Sequence, residues 1–128
     1  MQTATTLETL DRSWAVLLTT FRRDGTPVPT PVNLAIEDQR GYFRTYSKAG
    51  KTKRIRNNPA VEFSPSTLRG KPTGASMMAT ARLLAGDEDA HARVAIGRRH
   101  PIFQRYLIPA LHKIARYKTV HYEVRFGT

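Results

Sequence analysis

The spacing of apolar residues changes period along the chain. Leu7 and Leu10 stand three apart within residues 6–13, the spacing of a short helix. Residues 14–21, opening at Trp14, are apolar on both faces and rich in strand formers, which predicts a buried strand. Arg23-Asp24-Gly25-Thr26 is a turn of the Asp-Gly kind. From Thr26 to Ile36 the period is two. Val28, Thr30, Val32, Leu34 and Ile36 share one face, which predicts a single strand over residues 26–36. Residues 37–41 make a hairpin loop into a strand over residues 42–47.

Beyond that strand the pattern turns helical. A helix over about residues 51–58 stops at Pro59, because the residue before a proline resists the α conformation. Residues 61–64 read as a strand, residues 65–74 as a loop dense in turn formers, and residues 76–85 as a long strand. In that last strand Met77, Ala79, Ala81 and Leu83 lie on one side, as core packing or as room for a close neighbour. Asp87-Glu88-Asp89 caps a helix over about residues 90–99, where acidic groups are stabilising. Pro101 opens a second helical stretch with Phe103, Leu107, Leu111 and Ile114 at helical spacing and a kink at Pro109. Residues 118–126 close the chain as a strand, with Val120, Tyr122, Val124 and Phe126 on one face. Six strands with hairpin-type links and few helices predict a mostly β fold with some α. The expected form is a six-stranded antiparallel barrel with short flanking helices, one domain over residues 1–128.

The prolines of the second strand sharpen this. Pro27, Pro29 and Pro31 are all odd-numbered, and alternate residues of a strand point their N–H groups to the same lateral side. Donors are therefore missing from one side only. That side is a sheet edge, kept from aggregating, or a place where something other than a strand approaches.

Charge adds a candidate site. Lys and Arg number 21 against 10 Asp and Glu, a net charge of +11, which favours a polyanionic partner: nucleic acid, an anionic membrane surface or a highly charged small molecule. Residues 51–58 carry one large apolar residue, Ile55, so burial is not their main purpose. A helix there presents free N–H groups beside Lys51, Lys53 and Arg54, a phosphate-type anion site, with Thr45 and Ser47 adding hydroxyls. A solvated basic face is the plainer alternative.

Other chemistries are missing. There is no cysteine, which removes disulfides, thiolate metal sites and a Cys nucleophile. The first residues lack the basic and apolar regions of a signal peptide, and no apolar run is long enough to span a bilayer, so a soluble cytoplasmic protein is expected. Gly70-Lys71 runs into Pro72 without the earlier glycine of a phosphate loop. His91, His100, His112 and His121 lack ligand spacing, which assigns them surface or capping roles and predicts no metal. No carboxylate pair suggests hydrolysis, so reactivity would belong to a cofactor.

Residues 26–33 (Thr-Pro-Val-Pro-Thr-Pro-Val-Asn), 42–47 (Tyr-Phe-Arg-Thr-Tyr-Ser) and 50–59 (Gly-Lys-Thr-Lys-Arg-Ile-Arg-Asn-Asn-Pro) resemble the pyridoxamine 5′-phosphate oxidase-like split-barrel superfamily. The loop Arg69-Gly70-Lys71-Pro72-Thr73-Gly74 and the closing residues 117–123 fit one small-protein branch. More narrowly the chain is similar to small bacterial F420-dependent enzymes, the flavin/deazaflavin oxidoreductase B group. The resemblance implies an FMN-binding split barrel and a homodimer with cofactor at the interface. It also implies hydride transfer between F420, or alternatively FMN, and a small unsaturated or planar substrate. Carried onto this sequence, Thr45, Ser47, Lys48, Lys51, Lys53 and Arg54 hold the cofactor phosphate, and Thr30, Pro31, Val32 and Asn33 lie along the ring system. No side chain need act as acid or base, and substrate would enter beside Met77, Met78 or Tyr46. The arginine-lysine pair of the pyridoxamine phosphate oxidases has no match here, which argues against that substrate. Two other classes remain: a non-enzymatic carrier of flavin, F420 or a haem-type tetrapyrrole, and a nucleic-acid-binding barrel stacking bases on Tyr42 and Tyr46. The last lacks any recognisable binding motif.

Overall fold

The computed structural model describes residues 6–13, 15–100 and 118–127. The helical stretch expected after Pro101 and the residue Trp14 lie outside them. The elements run α1 (Leu7–Arg12), β1 (Val16–Phe21), β2 (Pro27–Val32), β3 (Leu34–Glu37), β4 (Arg40–Tyr46), α2 (Gly50–Asn57), β5 (Ala60–Pro65), β6 (Met77–Leu83), α3 (Gly86–Arg99) and β7 (Thr119–Phe126).

All seven strands belong to one antiparallel sheet in the order β2-β1-β5-β6-β7-β4-β3. The expected six strands become seven because residues 26–36 are not one strand. They break at Asn33, and the two halves go to opposite edges of the sheet. Only Asn33 separates β2 from β3, so Val32 and Leu34 lie no more than ~7 Å apart. The sheet must therefore roll until its two edges approach, which makes a half-barrel in which β2 and β3 are not paired as a ladder. Both halves still bury the same face. Val32 and Leu34 enter one core with Val16, Leu18, Phe43, Phe63, Tyr122 and Val124. Phe43 stacks on Tyr122 with ring centres 5.1 Å apart and meets Phe63 edge-on at 6.0 Å.

The strand ladders explain the prolines. Leu17, Thr19 and Phe21 of β1 face Pro31, Pro29 and Pro27, while Leu18 and Thr20 face Thr30 and Val28. The even-numbered residues of β2 carry the bonds to β1, and the prolines turn to the open side. β2 is an edge strand, as its prolines indicate. Its free side offers carbonyl acceptors from Pro27, Pro29 and Pro31 and no N–H between them.

Three helices among the described residues pack on this sheet. Thr6 caps α1, its side-chain oxygen accepting from the Thr9 N–H at 3.1 Å, and Leu10 enters the barrel core. α2 packs beside β1 and sends Ile55 into the same core. α3 covers the outer face of β3, β4 and β7, where Ala35, Tyr42, Leu84, Ala92, Ala95 and Ile96 form a second cluster. The β3–β4 turn is tighter than expected: Asp38 and Gln39 alone make it, both at positive φ, as a two-residue hairpin requires. β6 ends two residues short of Ala85. Ala79 and Ala81 are buried as expected, but Leu83 is 55% exposed, so it does not share their environment. Among the described residues no helix is long and apolar enough to cross a membrane.

Candidate functional site

β4 ends at Tyr46 and the chain turns through Ser47, Lys48 and Ala49 into α2. The turn is pinned on two sides. The Ser47 N–H donates to the Lys118 carbonyl at 2.8 Å, and the Ala49 N–H donates to the Tyr46 carbonyl at 3.0 Å. From within the helix the Thr52 hydroxyl donates to the Tyr46 carbonyl at 2.8 Å. The start of α2 is thus fixed to the barrel.

That start is electrostatically incomplete. Its N-cap, Ala49, has no side-chain oxygen, and the first turn contains no acid. The opening N–H groups therefore keep their partial positive charge. Cations add to it. Arg54 folds back along its own helix, so that a Cβ on Gly50 would lie 2.8 Å from the guanidinium. Its Nε donates to the buried Thr20 hydroxyl of β1 at 2.6 Å. Lys51 is half-buried; burial, then the Arg54 charge, pushes its pKa below the ordinary lysine value. Burial, then Arg22, likewise pushes Arg54 down. The charged neighbours acting on both groups are themselves cations.

Such an arrangement suits a phosphate: unpaired backbone donors, one fixed guanidinium fork and one partly desolvated ammonium. Sequence reasoning named Lys51 and Arg54 but missed Thr20, which holds Arg54, and Gly50, which leaves room for it. The Gly50–Arg54 spacing of four residues was the available signal.

The other expected residues divide. Ser47 and Lys48 lie in the turn at the same helix end, and Lys53 is exposed on α2. Thr45 is placed otherwise: it faces the barrel interior, 6% exposed, so it and Ser47 do not form one hydroxyl row. On β2 Pro31 is exposed at the free edge, Val32 is buried, and the Thr30 hydroxyl is buried without a hydrogen-bond partner. Asn33 stands at the seam. Of the residues suggested for substrate, Met77 packs on the core, while Met78 is exposed on β6, three strands from β2. Tyr42 cannot stack a base. It is buried under α3 and meets His91 edge-on with ring centres 5.6 Å apart.

The histidines are more structural than their spacing suggested. His121 is buried on β7, and its Nδ1 lies 2.8 Å from Asp89 Oδ1 of α3. Burial pushes its pKa down against the pull of Asp89. His100 caps the C-terminus of α3 and sets Nε2 3.1 Å from the Leu34 carbonyl. Asp89 also lines a cavity of about 590 Å³ with Leu83, Leu84, Arg93, Lys118 and Val120. No group of three metal-ligating side chains occurs among the described residues.

A family model described as pyridoxamine 5′-phosphate oxidase matches residues 3–121. No curated protein matches the chain. Among solved structures, a protein of unknown function from Agrobacterium tumefaciens superposes with a TM-score of 0.70 at 18% identity over 94% of this chain. The match covers 51% of that chain, so the present chain spans about half its length. A candidate 5-nitroimidazole antibiotic resistance protein from Bacteroides thetaiotaomicron gives 0.68 at 18% identity, over 94% of this chain and 77% of that one. The haem storage protein of Vibrio cholerae gives 0.69 at 12% identity, over 94% and 87%. At these identities the likeness is one of fold.

Proposed function

The chain belongs to the pyridoxamine 5′-phosphate oxidase family, and from that premise we propose that it is an F420-dependent oxidoreductase, with FMN as the alternative cofactor. The observation that carries this reading is the start of α2, where Lys51 and Arg54 crowd onto an uncapped helix end with no acid in its first turn. That donor set fits a phosphate group, and Ser47 and Lys48 stand beside it. The net charge of +11 favours the more anionic of the two cofactors, F420.

A cofactor held there supplies the hydride chemistry. The chain's own residues bind and orient. Lys51 and Arg54 neutralise phosphate charge, Lys48 and Lys53 add exposed positive charge, and the β2 edge at Thr30–Asn33, where Pro31 has no N–H, lies along the ring system. Catalysis is then positional: donor and acceptor carbons are aligned and water is excluded, with no side-chain acid required. We assign the protein a single cofactor-binding domain that pairs as a homodimer with cofactor at the interface.

A carrier of a haem-type tetrapyrrole is the second reading, suggested by the haem storage protein of Vibrio cholerae. It needs an available axial ligand. Among the described histidines, His100 and His121 are buried and His91 is engaged with Glu37.

Anaerobic titration with F420 and FMN, then with reduced cofactor plus a panel of nitroaromatic and enone acceptors, tests the proposal. Micromolar F420 binding with acceptor-dependent oxidation is expected. Tight binding without turnover of any acceptor moves the protein to the carrier class, and failure to bind either cofactor rejects the reading.

A further inference from the structure

Every described histidine stands where α3 meets the sheet. His91 on α3 reaches Glu37 of β3, His100 ends the helix against the Leu34 carbonyl of β3, and His121 of β7 meets Asp89 in the first turn of α3. The apolar part of this contact is thin. The helix buries Ala92, Ala95 and Ile96, and the two alanines have little area to remove from water. Polar contacts therefore carry much of the hold. Arg82 of β6 pairs with Glu88 at 2.6 Å, and the Arg99 guanidinium donates to the Asp11 carbonyl at 3.0 Å.

His121 is set against a second proton. Its ring is 1% exposed. Asp89 Oδ1 lies 2.8 Å from Nδ1, so Nδ1 carries the hydrogen of the neutral ring. Nε2 is buried and has no hydrogen-bond partner among the described residues. A proton added there makes a buried N–H donor with no acceptor. Arg44 faces His121 across the β4–β7 ladder, and Arg93 lies 3.9 Å from Asp89 Oδ2. Burial leads the balance, Asp89 pulls the other way, and Arg44 and Arg93 add to burial, so the ring binds its second proton less readily than in water. His100, at the far end of α3, is also buried; Arg99 and Arg44 oppose its protonation, and the Leu34 carbonyl and Asp11 favour it.

We propose that His121 and Asp89 form an acid-sensitive latch: protonation of His121 frees the first turns of α3 from β7 and uncovers Tyr42 and Leu84, while the barrel stays folded. Once released, the ring meets water and recovers its ordinary proton affinity, so the released state gains population as pH falls. Between pH 7 and pH 5 that gain is at most about 25-fold for a ring that stays neutral while docked, and the pull of Asp89 reduces it to roughly tenfold. His91 works the other way, because its proton strengthens the pair with Glu37. A pair between two partly exposed groups adds little, so it does not hold the helix. The latch acts whichever cofactor the start of α2 takes.

Native-state hydrogen exchange on the full chain, resolved by residue at pH 7 and pH 5 and in low urea, tests this. Protection factors, which remove the intrinsic pH dependence of exchange, are expected to fall about tenfold at amides 90–93 of α3 from pH 7 to pH 5. Low urea should not accelerate that opening, whereas the amides of β1 and β5 exchange through a urea-sensitive global opening. In His121→Asn, whose side-chain amide still donates to Asp89, the fall should shrink to within about twofold. Asp89→Asn removes the charge that favours the proton on docked His121, so its fall should be at least as steep as that of the wild type; it keeps the test open if His121→Asn does not fold. Equal protection at the two pH values, a full fall in His121→Asn, or α3 amides with the urea dependence of the barrel each overturn the proposal. A shallower fall in Asp89→Asn overturns it too, because the titrating group is then the carboxylate.

Discussion

Helices α2 and α3 open in the same way and answer the opening differently. Each is preceded by an alanine N-cap in extended conformation, each begins with glycine, and neither cap has a side-chain hydrogen bond. A helix start of that kind is a region of positive potential. α3 neutralises it from within, carrying Asp87, Glu88 and Asp89 in its first turn. α2 has no acid there and instead gathers Lys51 and Arg54. The acids of α3 are also occupied: Asp89 with His121 and Glu88 with Arg82. One helix end is closed by the chain's own charges; the other is left for an anion from outside. Helix geometry alone does not make a binding site. The charges placed on it decide.

The largest expected effect separates the two ends directly. Lys51→Ala with Arg54→Ala should weaken cofactor binding by more than about 100-fold, since each charge-assisted contact is worth roughly 1.5–3 kcal/mol. The variant's melting temperature should change little, because the relief of like-charge repulsion offsets the lost Arg54–Thr20 hydrogen bond. Asp89→Ala should do the reverse: a loss of about 2 kcal/mol in urea unfolding as buried His121 loses its partner, with unchanged cofactor affinity.

Acidification should strike the α3 side as well. Burial lowers the pKa of both His100 and His121 below the ordinary 6.5. The unfolded chain therefore binds their protons more readily. Their contribution to stability is full above pH ~6.5 and is lost as pH falls through the lower folded values, at about 1.4 kcal/mol per tenfold difference in proton affinity. Urea unfolding between pH 7 and pH 5 measures it, and a flat profile would contradict the assignment. The smallest effect is the most diagnostic of α2. Lys51→Glu supplies the missing acid, so the cofactor-free protein should gain about 0.5–1 kcal/mol in unfolding free energy while losing cofactor binding.

How far the sequence carried the fold depends on which forces act locally. The edge marked by Pro27, Pro29 and Pro31 and the acidic start of α3 are each readable within a few residues. The break at Asn33 was not. Val28 through Ile36 alternate without interruption because both halves face one barrel core, so the pattern is the same whether the chain runs straight or turns a corner. Leu83 differs for another reason: its alternation is correct, but it is the last residue of β6 and is exposed there. At the site, the basic residues were legible as composition and spacing. The hold of Thr20 on Arg54 and the burial of Thr45 were not, because the first joins residues 34 apart and the second follows from Thr45 facing the interior of the rolled sheet. The pairing of His121 with Asp89 is likewise tertiary, 32 residues apart.

The contrast between the two helices is tested most directly by one equilibrium titration, run with F420 and with FMN on three proteins: the wild type, Lys51→Ala/Arg54→Ala, and Asp89→Asn. The expected result is micromolar F420 binding to the wild type and to Asp89→Asn, weaker FMN binding to both, and loss of both cofactors in the double variant. If the double variant binds F420 as the wild type does, the start of α2 is a solvated basic face and the phosphate grip lies elsewhere.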